Sequence, residues 1–458
     1  MSSTSAREWP GYGLIWRWHF YAGLFCIPFI LWLACTGSIY LWKPQVEALL
    51  DRPYAHVAQG QAAQSPSAIG AAAVRAVPGS MLHRYQLPDT PDQAVQVIVG
   101  KGERETRVYV NPATLQVLKA VDEDSRLMPT VFRLHGELLL GNRGSYIVEL
   151  AASWAIVMIV SGLALWWPRG GGIAGVVYPR LREKGRRFWR DLHAVVGFWV
   201  SIFALCFLIS GLPWAASWGA YLESARSLSG PRLVAPDWRF GSVDTLQERA
   251  KNDAGAREAL ALHGEHHHRM PSMMAPSSLE PLDKLVPAVA ALQLPAPAFV
   301  SPPTGAGQPW TARSDTQDRP LRTDITLDPQ TGRVLSRSRF ADKPVLDQAV
   351  DYGVAAHEGH LFGLANQLLN LTIALGLVTL AISGAVMWWH RKPENALGAP
   401  ARNGAKPVAV GFIALLVGLS ILLPMLGLSM LAVLAIESLI LRRIPGARRW
   451  LGLRPAAA

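Results

Sequence analysis

The chain has 458 residues, of which 50% are hydrophobic and only 17% charged, with a net charge of +11. So apolar a balance excludes an ordinary soluble protein or soluble enzyme of this size. The excess Lys and Arg residues gather in short loops beside apolar runs, which excludes a nucleic-acid partner and points to a lipid bilayer.

In chain order, the first apolar run lies at about 20–42. A helix needs roughly 20 apolar residues to cross the hydrocarbon core, so residues 1–43 read as a cytoplasmic N-terminus and first span. Tyr40-Leu41-Trp42-Lys43-Pro44 offers no small-residue cleavage site, so the run is an anchor and not a removed signal. Residues 44–134 read as a small α+β domain, with a helix around 66–77 and alternating strands near 82–87, 94–99 and 106–111. A second span with an outer flank covers 135–168, a basic loop 169–192 and a third span 193–217. Residues 218–356 form a second α+β domain, with a helix near 278–292, strands near 297–300, 309–313 and 322–327, and an insertion at about 222–276 rich in Gly, Pro, His and Met. A fourth span with its flank occupies 357–390 and a loop 391–407. The last apolar run, within 408–441, is too long for one crossing and has Pro424 and Gly427 near its middle, so it reads as a helical hairpin or one deeply kinked helix. A basic tail closes the chain at 442–458.

The basic segments 169–192, 391–407 and 442–458 are cytoplasmic by the positive-inside rule, which puts 44–134 and 218–356 outside and both termini inside. Trp166-Trp167 and Trp388-Trp389 suit an interfacial aromatic belt at the inner ends. Cys26, Cys35 and Cys206 all fall within spans, so no extracellular disulfide framework is expected.

The fold class is thus a multi-pass helical membrane protein with two small α+β extracytoplasmic domains, and the spacings predict that it is internally duplicated. His19, Gly23 and Gly37 recur as His193, Gly197 and Gly211 at a constant shift of 174. His135, Gly141, Ser161, Gly162, Trp166, Trp167 and Arg169 recur as His357, Gly363, Ser383, Gly384, Trp388, Trp389 and Arg391 at a shift of 222. Val110-Asn111-Pro112-Ala113-Thr114 likewise corresponds to Leu327-Asp328-Pro329-Gln330-Thr331, a strand entering a tight turn.

On the early His, Thr36-Gly37 at the end of the first span, the Ser161-Gly162 and Trp166-Trp167 helix, and the turn Asp328-Pro329-Gln330-Thr331-Gly332, the chain resembles the PepSY-associated transmembrane family. The first copy of the turn departs from the family's pattern at Asn111 and Leu115. The resemblance implies an iron-regulated bacterial inner-membrane protein with PepSY-like periplasmic domains, similar to ferric-siderophore reductases that bind haem.

Histidines are the candidate ligands, because an ionisable residue at membrane depth is costly and imidazole is an axial ligand of haem iron. His19 and His193 sit at the cytoplasmic ends of spans one and three, and His390 at that of span four; His135, His357 and His360 flank the outer ends. At 3.6 residues per turn, positions i+4 and i+18 share a face with i. Gly23 and Gly37 then lie on the His19 face, and Gly197 and Gly211 on the His193 face, leaving room for an inner and an outer haem b. Taken singly such a His is an interfacial anchor and such glycines are packing sites; their repetition favours a cofactor. Pseudo-twofold symmetry pairs His19 with His193 and His135 with His357, with His390 and His360 as alternates; Pro168 stands where His390 would have its counterpart. His266, His267 and His268, followed by Met270, Met273 and Met274, are a candidate metal cluster, against which stands a solvated loop. His56, His83 and His263 are single exposed residues with no assigned role.

No Gly-rich phosphate loop, Rossmann fingerprint or His-Glu-x-x-His motif occurs, and no cytoplasmic segment is long enough for a flavin or nicotinamide domain. The expected function is reduction of a periplasmic ferric siderophore by electrons from a separate cytoplasmic protein, a quinol or a diffusible reduced flavin. The alternatives are a siderophore or iron transporter and a non-redox regulatory or binding module of PepSY type.

Overall fold

The computed structural model describes residues 11–168, 173–227, 250–251, 278–303, 308–400 and 410–453. His266, His267 and His268, with most of the insertion, lie outside these residues. In chain order the helices are α1 (Tyr12–Tyr40), α2 (Lys43–Asp51), α3 (Pro66–Ala76), α4 (Leu127–Glu137), α5 (Asn142–Trp166), α6 (Gly185–Gly211), α7 (Ala216–Ser227), α8 (Leu282–Ala290), α9 (Val345–His357), α10 (Leu364–Arg391), α11 (Val410–Leu422), α12 (Pro424–Ile436) and α13 (Pro445–Leu451). Two compact units result. One holds the described residues of Met1–Leu41, Phe132–Pro231 and Gln367–Ala458; the other holds those of Trp42–Val131 and Arg232–Asn366.

The first unit is helical. Five helical stretches are long and apolar enough to cross a membrane: Tyr12–Tyr40, Asn142–Trp166, Arg186–Trp214, Leu364–Arg391 and Pro424–Leu441. Helix α5 is the most buried of them, and small residues such as Ala151, Ser153 and Ala155 let neighbouring helices approach it closely. Trp18 stacks on Trp154 with ring centres 5.7 Å apart, and the Trp154 indole donates to Ser429 Oγ at 3.1 Å, tying α12 to the same core. Between α11 and α12 the backbone breaks at Leu423, just before Pro424. The two arms meet at Gly427, where a Cβ would stand 2.8 Å from Ser420 O. At 13 residues α11 is about 20 Å long, short of the roughly 30 Å core.

A carboxylate that sequence reasoning passed over, Glu149, is buried on α5. It accepts a hydrogen bond from Ser217 N at 2.9 Å, while Ser145 Oγ accepts from Ala216 N at 3.0 Å. The pair satisfies the free amides at the start of α7, a capping role that explains a charged side chain at that depth.

The second unit is built on one antiparallel sheet of eight strands, ordered β4-β3-β2-β1-β5-β6-β7-β8. These are β1 (Met81–Gln86), β2 (Val95–Lys101), β3 (Arg104–Val110), β4 (Val117–Asp122), β5 (Ala298–Ser301), β6 (Trp310–Ser314), β7 (Thr323–Leu327) and β8 (Val334–Arg339). Alternate residues Val95, Val97, Val99, Val108 and Val110, with Ala312, Ile325 and Leu327, face one core with Leu282 and Leu285 of α8 and Ile69 and Ala73 of α3. Two separate α+β domains were the sequence expectation, and the structure corrects it. β1 pairs with β5 at Tyr85–Val300 and Gln86–Phe299, so each four-stranded meander covers the other's open edge. An unpaired apolar edge would invite aggregation, which the continuous sheet avoids.

The two turns adopt one conformation. Asn111 Oδ1 accepts from Ala113 N and Thr114 N, and Asp328 Oδ1 from Gln330 N and Thr331 N. Leu115 takes the left-handed conformation, φ 60°, that Gly332 takes at φ 71°. His83, expected exposed, is 2% exposed. An irregularity of β1 between Leu82 and Arg84 turns its ring over Gly100, where no Cβ would fit, and Nδ1 meets Glu105 at 2.7 Å.

Candidate functional site

Helices α1 and α6 begin, and α5 and α10 end, around one cavity of about 540 Å³ in the helical unit. That volume is within the ordinary range for cofactor sites. His19 and His193 project into it and face one another, ring centres 6.3 Å apart and ring planes at 81°. Gly23, Gly162, Gly197 and Gly384 also line it, and Trp16, Trp166 and Trp388 supply aromatic walls.

Each ring is held by a hydroxyl–glycine pair from a helix far away in sequence. His19 Nδ1 lies 3.0 Å from Met158 O and 3.2 Å from Ser161 Oγ. A Cβ on Gly162 would stand 3.0 Å from His19 Cε1, so the glycine makes room for the ring. His193 Nδ1 lies 3.0 Å from Ser383 Oγ, with Gly384 at its Cε1. His135, on α4, repeats the arrangement: its Nδ1 is 3.0 Å from Thr36 Oγ1, and a Cβ on Gly37 would stand 3.2 Å from its Cε1.

The direction of these hydrogen bonds follows from the hydroxyls. Ser161 donates to Met158 O, Ser383 to Leu380 O and Thr36 to Trp32 O, in each case one helical turn back. With its proton used there, each oxygen accepts from the imidazole Nδ1–H. The neutral ring then carries its lone pair on Nε2, the tautomer of a metal-ligating histidine whose other nitrogen is held by the protein.

A haem fits this geometry better than a bare ion. Two imidazoles ligating one metal from opposite sides put their nitrogens about 4 Å and their ring centres roughly 6 Å apart. Among the described residues no group of three or more His, Cys, Asp or Glu is placed to hold a metal. Two neighbouring imidazoles without a third donor suit a metal whose other positions are filled by a macrocycle, and the glycines leave space for one.

The other candidates fall elsewhere. Gly37 is not a wall of this cavity, since it lies under His135; Gly211 ends α6. His390 is exposed and does not line the cavity, because it follows the end of the apolar run. His357 ends α9 in the sheet unit, and His360 follows it with a buried Nε2 that has no hydrogen-bond partner. Burial pushes His360 below its ordinary pKa; Glu358 opposes this and Lys43 adds to it. The paired tryptophans split their tasks. Trp166 and Trp388 donate to Val176 O and Leu397 O, pinning the adjoining loops, whereas Trp167 and Trp389 point outward.

The family description "PepSY-associated TM region" matches residues 16–391. The chain belongs to that family. With its apolar helices, it is a membrane protein. Comparison with curated proteins finds no match. The matched range takes in His19, His193, His135 and all three hydroxyl–glycine pairs.

Proposed function

We propose that this membrane protein is a haem-bearing reductase of the bacterial inner membrane, passing electrons from the cytoplasmic side to a periplasmic ferric siderophore. The facing His19–His193 pair, with both Nδ1 atoms held, is the observation that carries this reading. The termini and basic loops lie in the cytoplasm and the sheet unit in the periplasm, as the positive-inside rule requires. A duplicated chain accounts for the repeated order of helix and four-stranded meander in the sheet, and for the Ser-Gly pairs of α5 and α10.

Bound between these rings, a haem b supplies a one-electron Fe(III)/Fe(II) couple. His19 and His193 would hold it, with Ser161 and Ser383 fixing the tautomer and orientation of their rings through Nδ1. Surrounding Trp and Leu side chains exclude water. His135, prepared in the same way by Thr36, is the ligand for a second haem nearer the periplasm. A separate cytoplasmic protein or a quinol supplies the electron. The ferric complex accepts it, and Fe(II), a softer ion, is held less tightly by hard oxygen ligands and leaves.

The test is a visible spectrum of the full chain purified in detergent, oxidised and dithionite-reduced, with haem quantified per chain. A six-coordinate low-spin b-type spectrum with two haems, and Fe(II) release from a ferric siderophore, is the expected result. A protein without chromophore after expression in ample iron would overturn the reading in favour of a transporter or regulatory module.

A further inference from the structure

Three arginines line the His19/His193 cavity: Arg186 and Arg190 from the start of α6, and Arg391 from the end of α10. Their situations differ. Arg190 is engaged with Asp191, Nη2 to Oδ1 at 2.8 Å. Arg391 lies over the rings of Trp16 and Phe20, its guanidinium carbon 5.1 and 5.2 Å from their centres. Its Nε is buried and has no hydrogen-bond partner. Arg186 stands close enough for its like charge to act on Arg391. Neither has an acidic partner among the described residues.

A positive-inside loop explains exposed arginines such as Arg186 and Arg187, which water solvates. It does not explain a half-buried guanidinium with an unmet donor beside a second cation. Such a pair is unfavourable until an anion joins it, and a guanidinium matches a carboxylate through two parallel N–H···O bonds. The aromatic rings beneath Arg391 hold its plane in one orientation.

We propose that Arg391, with Arg186, recognises the carboxylates of the macrocycle held by His19 and His193. These arginines turn its acidic edge toward the end of the cavity where α6 begins and α10 ends. The inference rests on the haem reading and adds a specificity-determining pair to it. Only a ligand with acidic side chains satisfies both the histidines and the arginines.

The full-length protein, expressed without haem and purified in detergent, is titrated with protohaem and with protohaem dimethyl ester, and binding is followed by visible absorbance. The wild type should bind the diacid at least tenfold more tightly than the ester. Arg391→Leu should lose most of that preference while its ester affinity stays near the wild type's, and Arg391→Lys should keep part of it. Equal wild-type affinities for diacid and ester, or an Arg391→Leu protein that keeps the preference, would overturn the inference while leaving the haem reading standing. Uptake of neither probe overturns both. Arg391-dependent binding of riboflavin 5′-phosphate over riboflavin, with no discrimination between the two haems, would assign the arginines to a phosphate and also overturn it.

Discussion

Two clusters of basic side chains, one on β1–β4 and their flank in the sheet unit and one at the cavity of the helical unit, are treated in opposite ways. In the sheet unit, Arg84 meets Glu105 at 2.6 Å, Arg107 meets Glu123 at 2.7 Å, and Arg126 reaches Glu123 at 2.9 Å. Gln86 and Gln96 accept from Arg107 Nη1. At the cavity of the helical unit, Arg186 and Arg391 have no acidic partner among the described residues, and His19 and His193 have Nδ1 held in a fixed direction. A cluster that pairs its cations with carboxylates is organised for stability, because removing one partner leaves a buried charge uncompensated. A cluster that holds oriented imidazoles and an unpaired guanidinium around a cavity is organised for a ligand.

The sharpest way to break this comparison is to remove an imidazole. His193→Ala and His19→Ala should each lose one haem per chain entirely, measured by pyridine haemochrome, while the far-UV circular dichroism of the sheet is unchanged. Retention of full haem content by either variant would remove the cavity from the proposed function.

A large effect of the opposite kind is expected in the sheet unit on acidification. Burial alone would raise the Glu123 carboxyl, but the charge and hydrogen bonds of Arg107, with the charges of Arg126 and Arg84, hold it down at about 2 against an ordinary 4.5. Because the folded value lies below the unfolded one, the stabilisation is fully present above pH 4.5 and is lost as pH falls toward 2. Its upper bound is about 3 kcal/mol. Acid unfolding of the Glu123→Gln variant should therefore show a shallower dependence on pH across that window than the wild type. Identical acid transitions would mean that the network does not set the unit's stability.

Next in size is Ser383→Ala. It removes the oxygen that accepts from His193 Nδ1–H, and loss of such a supporting partner typically costs about 10–100-fold in metal affinity. Haem retention on dilution should fall by that order and the midpoint potential should move. Ser383→Thr, which keeps the hydroxyl, should recover most of the loss. A merely structural serine would change neither quantity.

Much of the architecture was legible because it follows local periodicity. The spans announced themselves by apolar length and α3 and α8 by composition, and six strands by alternation. β4 and β8 were missed because they are edge strands of mixed, largely solvated residues, in which neither face alternates cleanly. The pairing of β1 with β5 joins residues more than 200 positions apart and leaves no local mark. The candidate histidines were legible through their repetition, but the side chains that hold them were not. Ser161 enters the sequence reading only as a repeated position and part of the family motif, and Ser383 only as its repeat. The signal that would have found them is that each precedes a glycine and that Thr36-Gly37 has the same form: a hydroxyl to hold an imidazole, and an absent side chain to admit it. Gly37 was assigned to the face of His19 by helical phase, which says which side of a helix a residue occupies but not what lies opposite.

The smallest effects compare the two inner cradles. A Cβ at Gly162 would stand 3.0 Å from His19 Cε1, tighter than nine in ten real contacts, whereas one at Gly384 would stand 3.4 Å from His193 Cε1, close to ordinary van der Waals contact. Gly162→Ala must therefore push the His19 ring by a few tenths of an ångström, and that ring is also tied to Met158 O. Gly384→Ala meets its ring with almost no displacement. Off-ideal placement of that size costs about 1 kcal/mol. Gly162→Ala should accordingly shift the midpoint potential and broaden the low-spin paramagnetic resonance of the oxidised protein, with haem still bound, and Gly384→Ala should do so by clearly less. Equal shifts would mean that the rings adjust freely and that the glycines serve helix packing alone. A larger shift at Gly384 would mean that His193, not His19, is the ring held under closer constraint.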